Sequence, residues 1–139
     1  MMRMIENQVF LAQGAYARVI GGSDKLLALC RGMHYALVEI YVLTQTAAAY
    51  ERLGKRREAA ALVRQAADMA RPDGLVLPFA ACYRYLREVL PEAGDDFAAR
   101  AARFGQSFQA GCQAVQIVRQ RPETFAALTE REWAVAQRM

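Results

Sequence analysis

Histidine is almost missing from this chain: His34 is the single one among 139 residues. Cysteine is scarce, and Cys30, Cys82 and Cys112 stand far apart with no C-x-x-C pair. A structural zinc site draws four converging ligands, usually in close pairs, so no metal is expected. An odd, dispersed set of cysteines reads instead as small buried apolar side chains. No run approaches the roughly 18 consecutive apolar residues of a membrane span. The opening Met1-Met2-Arg3-Met4-Ile5-Glu6 has no apolar h-region with a small-residue cleavage site. A cytoplasmic protein with no membrane partner is the expectation.

Catalytic signatures are lacking as well. There is no G-x-S-x-G, no H-E-x-x-H and no G-x-x-x-x-G-K-[ST]. Ser23 and Ser107 have no sequence context that activates a hydroxyl. His34 falls at the expected start of a helix, where a capping or surface role fits. Asp95-Asp96 follows Gly94 and precedes an apolar stripe, which reads as helix capping rather than a carboxylate pair. The chain is therefore expected not to be an enzyme and to need no cofactor.

Charge is mildly positive, +4 from 18 basic and 14 acidic groups. Acid is absent between Phe97 and Pro122, where Arg100, Arg103, Arg119 and Arg121 stand. Such a stripe suits a solvated helix face or an acidic protein partner, and less readily a phosphate backbone.

What is present is helix signal. Apolar residues are 55% of the chain, alanine is abundant, and β-branched residues are sparse outside Val38 to Val42. A first helix carries Ile5, Val9 and Ala12 on a weak stripe and ends at Gly14. A second covers about 15–31, with Gly21-Gly22 as a kink or split that Ser23-Asp24 recaps, and Gly32 closes it. The third, about 34–53, places Leu37, Ile40, Tyr41, Thr44, Ala47, Ala48 and Glu51 at helical spacing and is apolar round much of its circumference. Gly54 stops it. The fourth, about 56–70, turns Ala59, Leu62, Val63, Ala66 and Met69 inward. After Pro72-Asp73-Gly74 a fifth runs from about 78 to 89. The sixth starts at Asp95 or Asp96, reaches about Gln120, and shows the stripe Phe97, Ala101, Phe104, Phe108, Cys112, Val115. That stripe reads as core, or as a face offered to a next unit or a second copy. Gly105 and Gly111 either weaken this helix or admit a close neighbour. Short connections make successive helices antiparallel neighbours. The fold class is all-α, an antiparallel array of helical hairpins with about six helices over residues 1–127.

The third and fourth helices carry a repeat pattern. Tyr50, Gly54, Ala59 and Ala66 match the Tyr, turn Gly and two packing alanines of a tetratricopeptide repeat, which this segment resembles. The earlier Trp, Leu and Gly positions of that repeat hold Leu43, Thr46 and Ala47 here, and the terminal Pro comes one residue late, at Pro72. Gln13-Gly14-Ala15-Tyr16 resembles the turn of an earlier repeat, 40 residues before Gly54 rather than about 34.

The end of the chain adds a second resemblance. In Leu128-Thr129-Glu130-Arg131-Glu132-Trp133-Ala134-Val135, Thr129 and Glu132 have capping-box spacing, so a helix is expected to begin there. The string resembles the opening of a LuxR-type helix-turn-helix domain. Residues 128–139 are then the truncated first helix of that domain. Together with Ala47 to Gly54, Glu58-Ala59-Ala60, Ala70 to Gly74 and Pro78-Phe79, it resembles the repeat array and following domain of MalT-like LuxR regulators. That resemblance implies a module that receives a small-molecule or protein effector and relays it to DNA. DNA is then touched only through a domain outside this chain, and pairing of two copies is one way to relay. A free-standing scaffold adaptor for protein or peptide partners is the alternative. Tyr35, Tyr41, Tyr50, Tyr83 and Tyr85 fall on the third and fifth helices and are the expected ligand or partner groove, since a ring with a hydroxyl suits recognition.

Overall fold

A computed structural model of the chain describes the backbone of residues 2–120 and the side chains of residues 2–115. The described residues form seven α-helices, two 3-10 turns and no strand. They are α1 (Met2–Ala12), α2 (Tyr16–Gly32), α3 (Ala36–Arg52), α4 (Arg56–Ala70), α5 (Leu77–Ala81), α6 (Tyr83–Leu86) and α7 (Asp95–Gln120). The 3-10 turns are Arg71–Asp73 and Leu90–Ala93. The all-α hairpin array expected from the sequence is what forms. The chain divides into two compact units, Met1–Gln106 and Ser107–Met139. The expected segment at Pro122, the helix at Thr129 and the boundary after residue 127 lie outside the described residues.

Helices α1 to α4 are joined by turns of one design. Gly14 N–H donates to the Leu11 carbonyl at 3.2 Å and Ala15 N–H to Phe10 at 2.8 Å. The same crossed pair recurs as His34 to Arg31 (3.2 Å) with Tyr35 to Cys30 (2.9 Å), and as Gly54 to Glu51 (3.1 Å) with Lys55 to Tyr50 (2.9 Å). It closes the end of α4 again, with Gly74 to Arg71 at 3.2 Å and Leu75 to Ala70 at 3.1 Å. This arrangement satisfies the last helical carbonyls and demands a left-handed residue at its centre. Residues 14, 34, 54 and 74 have φ of 77°, 56°, 79° and 62°, one every twenty residues. Three of the four are glycine. His34 takes the fourth place against the roughly 1–2 kcal/mol penalty that a Cβ adds there. It is thus not the opening residue of α3. It closes α2, a role the sequence reading gave to Gly32.

Helix α3 is the centre of the first unit. Glu39, Ile40 and every residue from Val42 to Ala49 are buried, and α1, α2, α4, α5 and α6 all pack on it. Ala59, Val63, Ala66, Ala67 and Ala70 form the inner face of α4. Small side chains let the two helices approach closely, as the repeat pattern implied. Leu62 and Met69 are only half-buried.

Four expectations are corrected. On α1 the stripe Ile5, Val9, Ala12 faces solvent, and Asn7 and Leu11 are buried instead. A polar contact explains this: the Asn7 amide donates to Gln45 Oε1 (3.1 Å), and Gln45 Nε2 donates to the Met4 carbonyl (2.9 Å). A buried amide is tolerated only when so satisfied. On α2, Gly21-Gly22 neither kinks nor splits the helix, which runs unbroken from Tyr16 to Gly32; Ser23 donates back to the Ile20 carbonyl at 2.8 Å rather than recapping the chain. The fifth helix is two short pieces broken at Cys82, whose φ of −103° and ψ of 11° leave helical geometry. On α7, Phe97 and Ala101 are core, with the Phe97 ring edge-on to Phe79 at 4.9 Å. Phe104, Phe108, Cys112 and Val115 are exposed. Gly94 precedes α7 and its carbonyl accepts the Ala98 N–H, so Asp95 and Asp96 lie in the first turn, where their charge favours the helix N-terminus.

Candidate functional site

The segment 84–93 lies against the α3–α4 hairpin and is tied down by arginines. Arg52 donates to the Arg84 carbonyl (3.4 Å), Arg56 to the Glu88 carbonyl (3.0 Å) and Arg71 to the Ala93 carbonyl (2.7 Å). Arg56 also meets the Glu88 carboxylate at 3.8 Å, and Arg64 that of Glu92 at 3.9 Å. Carbonyls left unpaired by broken helix are thus satisfied from a neighbouring element.

The break at Cys82 sits where α1, α3 and α6 come together. Gln8 on α1 donates to Cys82 Sγ at 3.6 Å. Burial pushes the Cys82 thiol up to about 11, with hydrogen bonds from Gln8 and Thr44 opposing the rise. A thiol held that high is protonated at neutral pH and is not poised as a nucleophile. Tyr41 is raised by burial and then by Cys82. Tyr85 is raised by burial; Arg84 and Arg52 oppose the rise, and Tyr16 and Cys82 add to it. The Cys82 thiol and the Tyr41 and Tyr85 hydroxyls are thus neutral donors at pH 7. The arrangement is suited to recognition: half-buried rings with hydroxyls, edged by guanidinium groups.

Of the five tyrosines singled out by sequence, Tyr41 and Tyr85 meet at this seam. Tyr83 does not; it is 8% exposed, and its ring covers Gly105 so closely that an added Cβ would lie 2.4 Å from Tyr83 Cγ. Its edge lines an open hollow of about 290 Å³ with Arg87, Leu90, Pro91 and Ala98. Tyr50 lies in the last turn of α3 beneath Lys55, whose ammonium is 6.0 Å from the ring centroid. Tyr35 is exposed beside the left-handed turn. Sequence reasoning missed Tyr16, Gln8, Arg52 and Arg84. The Gln13-Gly14-Ala15-Tyr16 turn was the available signal for Tyr16, since it sets that tyrosine at the start of α2. A second open hollow, about 400 Å³, is lined by Arg71, Asp95, Asp96 and Arg100 and so mixes both charge signs.

Among the described residues no three His, Cys, Asp or Glu side chains gather as a metal site. No helix among them is long and apolar enough to cross a membrane. No family model, curated protein or solved structure matches the chain.

Proposed function

We propose that this chain is the non-catalytic, cytoplasmic interaction module of a LuxR-type transcriptional regulator. It receives a protein or small-molecule effector on its hairpin array and relays that event to a DNA-binding domain outside the chain. The observation that carries the interaction role is the seam at Cys82. It gathers half-buried tyrosines and guanidinium groups on a scaffold of antiparallel hairpins, around a thiol that is not poised to react. Stacked hairpins of this kind offer extended surfaces to partners. The regulator half of the reading rests on Leu128 to Val135, whose capping box and Leu-Thr-Glu-Arg-Glu string support it.

Reading the native coding frame past the Met139 codon tests the regulator half. An open frame with a second, basic helix is expected, and the extended protein should shift a promoter fragment that this chain alone leaves unshifted. A stop codon at that point sinks the regulator reading. The free-standing adaptor then takes its place, because the hairpin array and its seam need no DNA-binding domain to bind a partner.

A further inference from the structure

We infer that Arg52, Arg84 and Tyr85 form the docking point for an acidic peptide segment of a partner protein. The inference rests on the reading of this chain as an interaction module and names what the module takes.

The cluster joins the last turn of α3 to α6. The Arg52 guanidinium is 5.0 Å from the centroid of the Tyr85 ring, and the Arg84 guanidinium is 5.5 Å from the same centroid. Two like charges are therefore held on one ring, an arrangement that repels itself unless an anion joins it. The neighbouring arginines are neutralised: Arg56 by Glu88, Arg64 by Glu92 and Arg71 by Asp68. Among the described residues neither Arg52 nor Arg84 has a carboxylate within ion-pair distance. The one hydrogen bond between them, from Arg52 to the Arg84 carbonyl, is long at 3.4 Å and neutralises neither.

The chemistry of the cluster selects carboxylate. A guanidinium presents parallel N–H donors that match a carboxylate fork, and a ring beneath it holds its plane in place. Tyr85 adds apolar ring surface for a neighbouring side chain. A nucleic acid is a poorer fit. A phosphate backbone calls for an unbroken run of cations. Here Glu88 and Glu92 stand along the same segment, both exposed, with side chains 72% and 50% accessible. A short acidic stretch that engages two guanidinium groups avoids those carboxylates; a continuous polyanion meets them.

The test is an array of twelve-residue peptides spanning net charge from −4 to +4, probed with the fluorescently labelled chain. Single-stranded oligonucleotides of matched length share the array. Retention is expected to climb with negative charge. It should fall at least tenfold for the double variant Arg52→Gln/Arg84→Gln, fall by less for each single variant, and stay unchanged for Arg100→Gln, an exposed arginine on α7. Circular dichroism melts verify the fold, and the single variants carry the test should the double variant melt early. Retention that ignores peptide charge, or survives the double substitution, overturns the acidic docking point and leaves the interaction module standing. Tighter hold on oligonucleotide than on any peptide overturns it in favour of nucleic acid. Retention of no peptide at all removes the docking point and leaves only the small-molecule form of the interaction module.

Discussion

Residues 2–70 and residues 71–94 both cover α3, and they do it by different means. The first stretch uses four long helices closed by identical backbone turns, so each helix satisfies its own end. The second has two short helices and two 3-10 turns, with Pro72, Pro78 and Pro91 near the starts of three of these pieces. Much of its backbone is satisfied from outside, by Arg52 and Arg56 of the hairpin it covers, and its first residue, Arg71, reaches across to the Ala93 carbonyl at its far end. Regular structure here is locally self-sufficient; irregular structure is held by side chains distant in sequence.

Substitutions can break that comparison at several strengths. The largest effect is expected at Gly105, where α7 meets the irregular stretch. An added methyl lies 2.4 Å from Tyr83 Cγ and 2.5 Å from its Cβ, so Gly105→Ala should cost about 3 kcal/mol by overpacking. Gly111, with open space around it, should gain up to about 1 kcal/mol from the same change. Chemical denaturation of both variants separates close packing from mere helix weakness; equal effects would show that Tyr83 is not the cause.

The next effect is on pH. The Cys82 thiol sits at about 11 in the fold against an ordinary 9.0. Its neutral form is therefore favoured by folding. Stability is unaffected below pH 9 and declines as pH rises from 9 to 11, by roughly 2–3 kcal/mol. Tyr41 and Tyr85, also raised by burial, extend the decline into stronger alkali. Thermal melts at pH 8, 9.5 and 11 should show the decline in the native chain and a flatter profile for Cys82→Ala. Parallel profiles would remove Cys82 as its source.

A smaller effect is expected among the arginines. Arg71→Ala deletes the 2.7 Å bond to the Ala93 carbonyl and should cost about 1 kcal/mol. Arg64→Ala breaks an exposed pair at 3.9 Å and a long 3.4 Å bond to the Ala60 carbonyl of its own helix, and should cost less than about 0.5 kcal/mol. Urea midpoints rank the two, and the reverse order would mean that the carbonyl bonds do not hold the segment.

Gains, of about the size of the Arg71→Ala loss, are expected in the regular half. His34→Gly removes a Cβ from a left-handed position and should stabilise by about 1 kcal/mol. Gly21→Ala, in a continuous helix with open space around it, should gain a similar amount. A rise of a few degrees in Tm for each is the readout. A fall for His34→Gly would mean that the imidazole itself supports the turn.

The same contrast explains what was legible beforehand. Helical periodicity and Gly14, Gly54 and Gly74 announced the regular half, because each helix and its stop are encoded within one short segment. The close packing of α3 on α4 was readable in Ala59 and Ala66. What stayed hidden was set by partners far along the chain. Asn7 is buried because Gln45 awaits it, and no local pattern says so. Cys82 breaks a helix that the stretch 78–89 was expected to complete. Of the candidate groove, Tyr41 and Tyr85 were legible as tyrosines on neighbouring helices. Arg52 and Arg84 were not, since nothing about an isolated arginine shows whether a carboxylate will meet it in the fold.

The twenty-residue spacing of the left-handed turns also fixes how such a chain can lengthen. Because successive helices run in opposite directions, the turns at 14 and 54 lie at one rim of the array and those at 34 and 74 at the other. Duplication of a whole forty-residue hairpin returns the chain to the rim it left, and whatever is fused downstream keeps its side. Gain or loss of a single twenty-residue step delivers the fusion to the opposite rim. Parity in the number of helices, more than any one side chain, thus decides where an attached domain emerges.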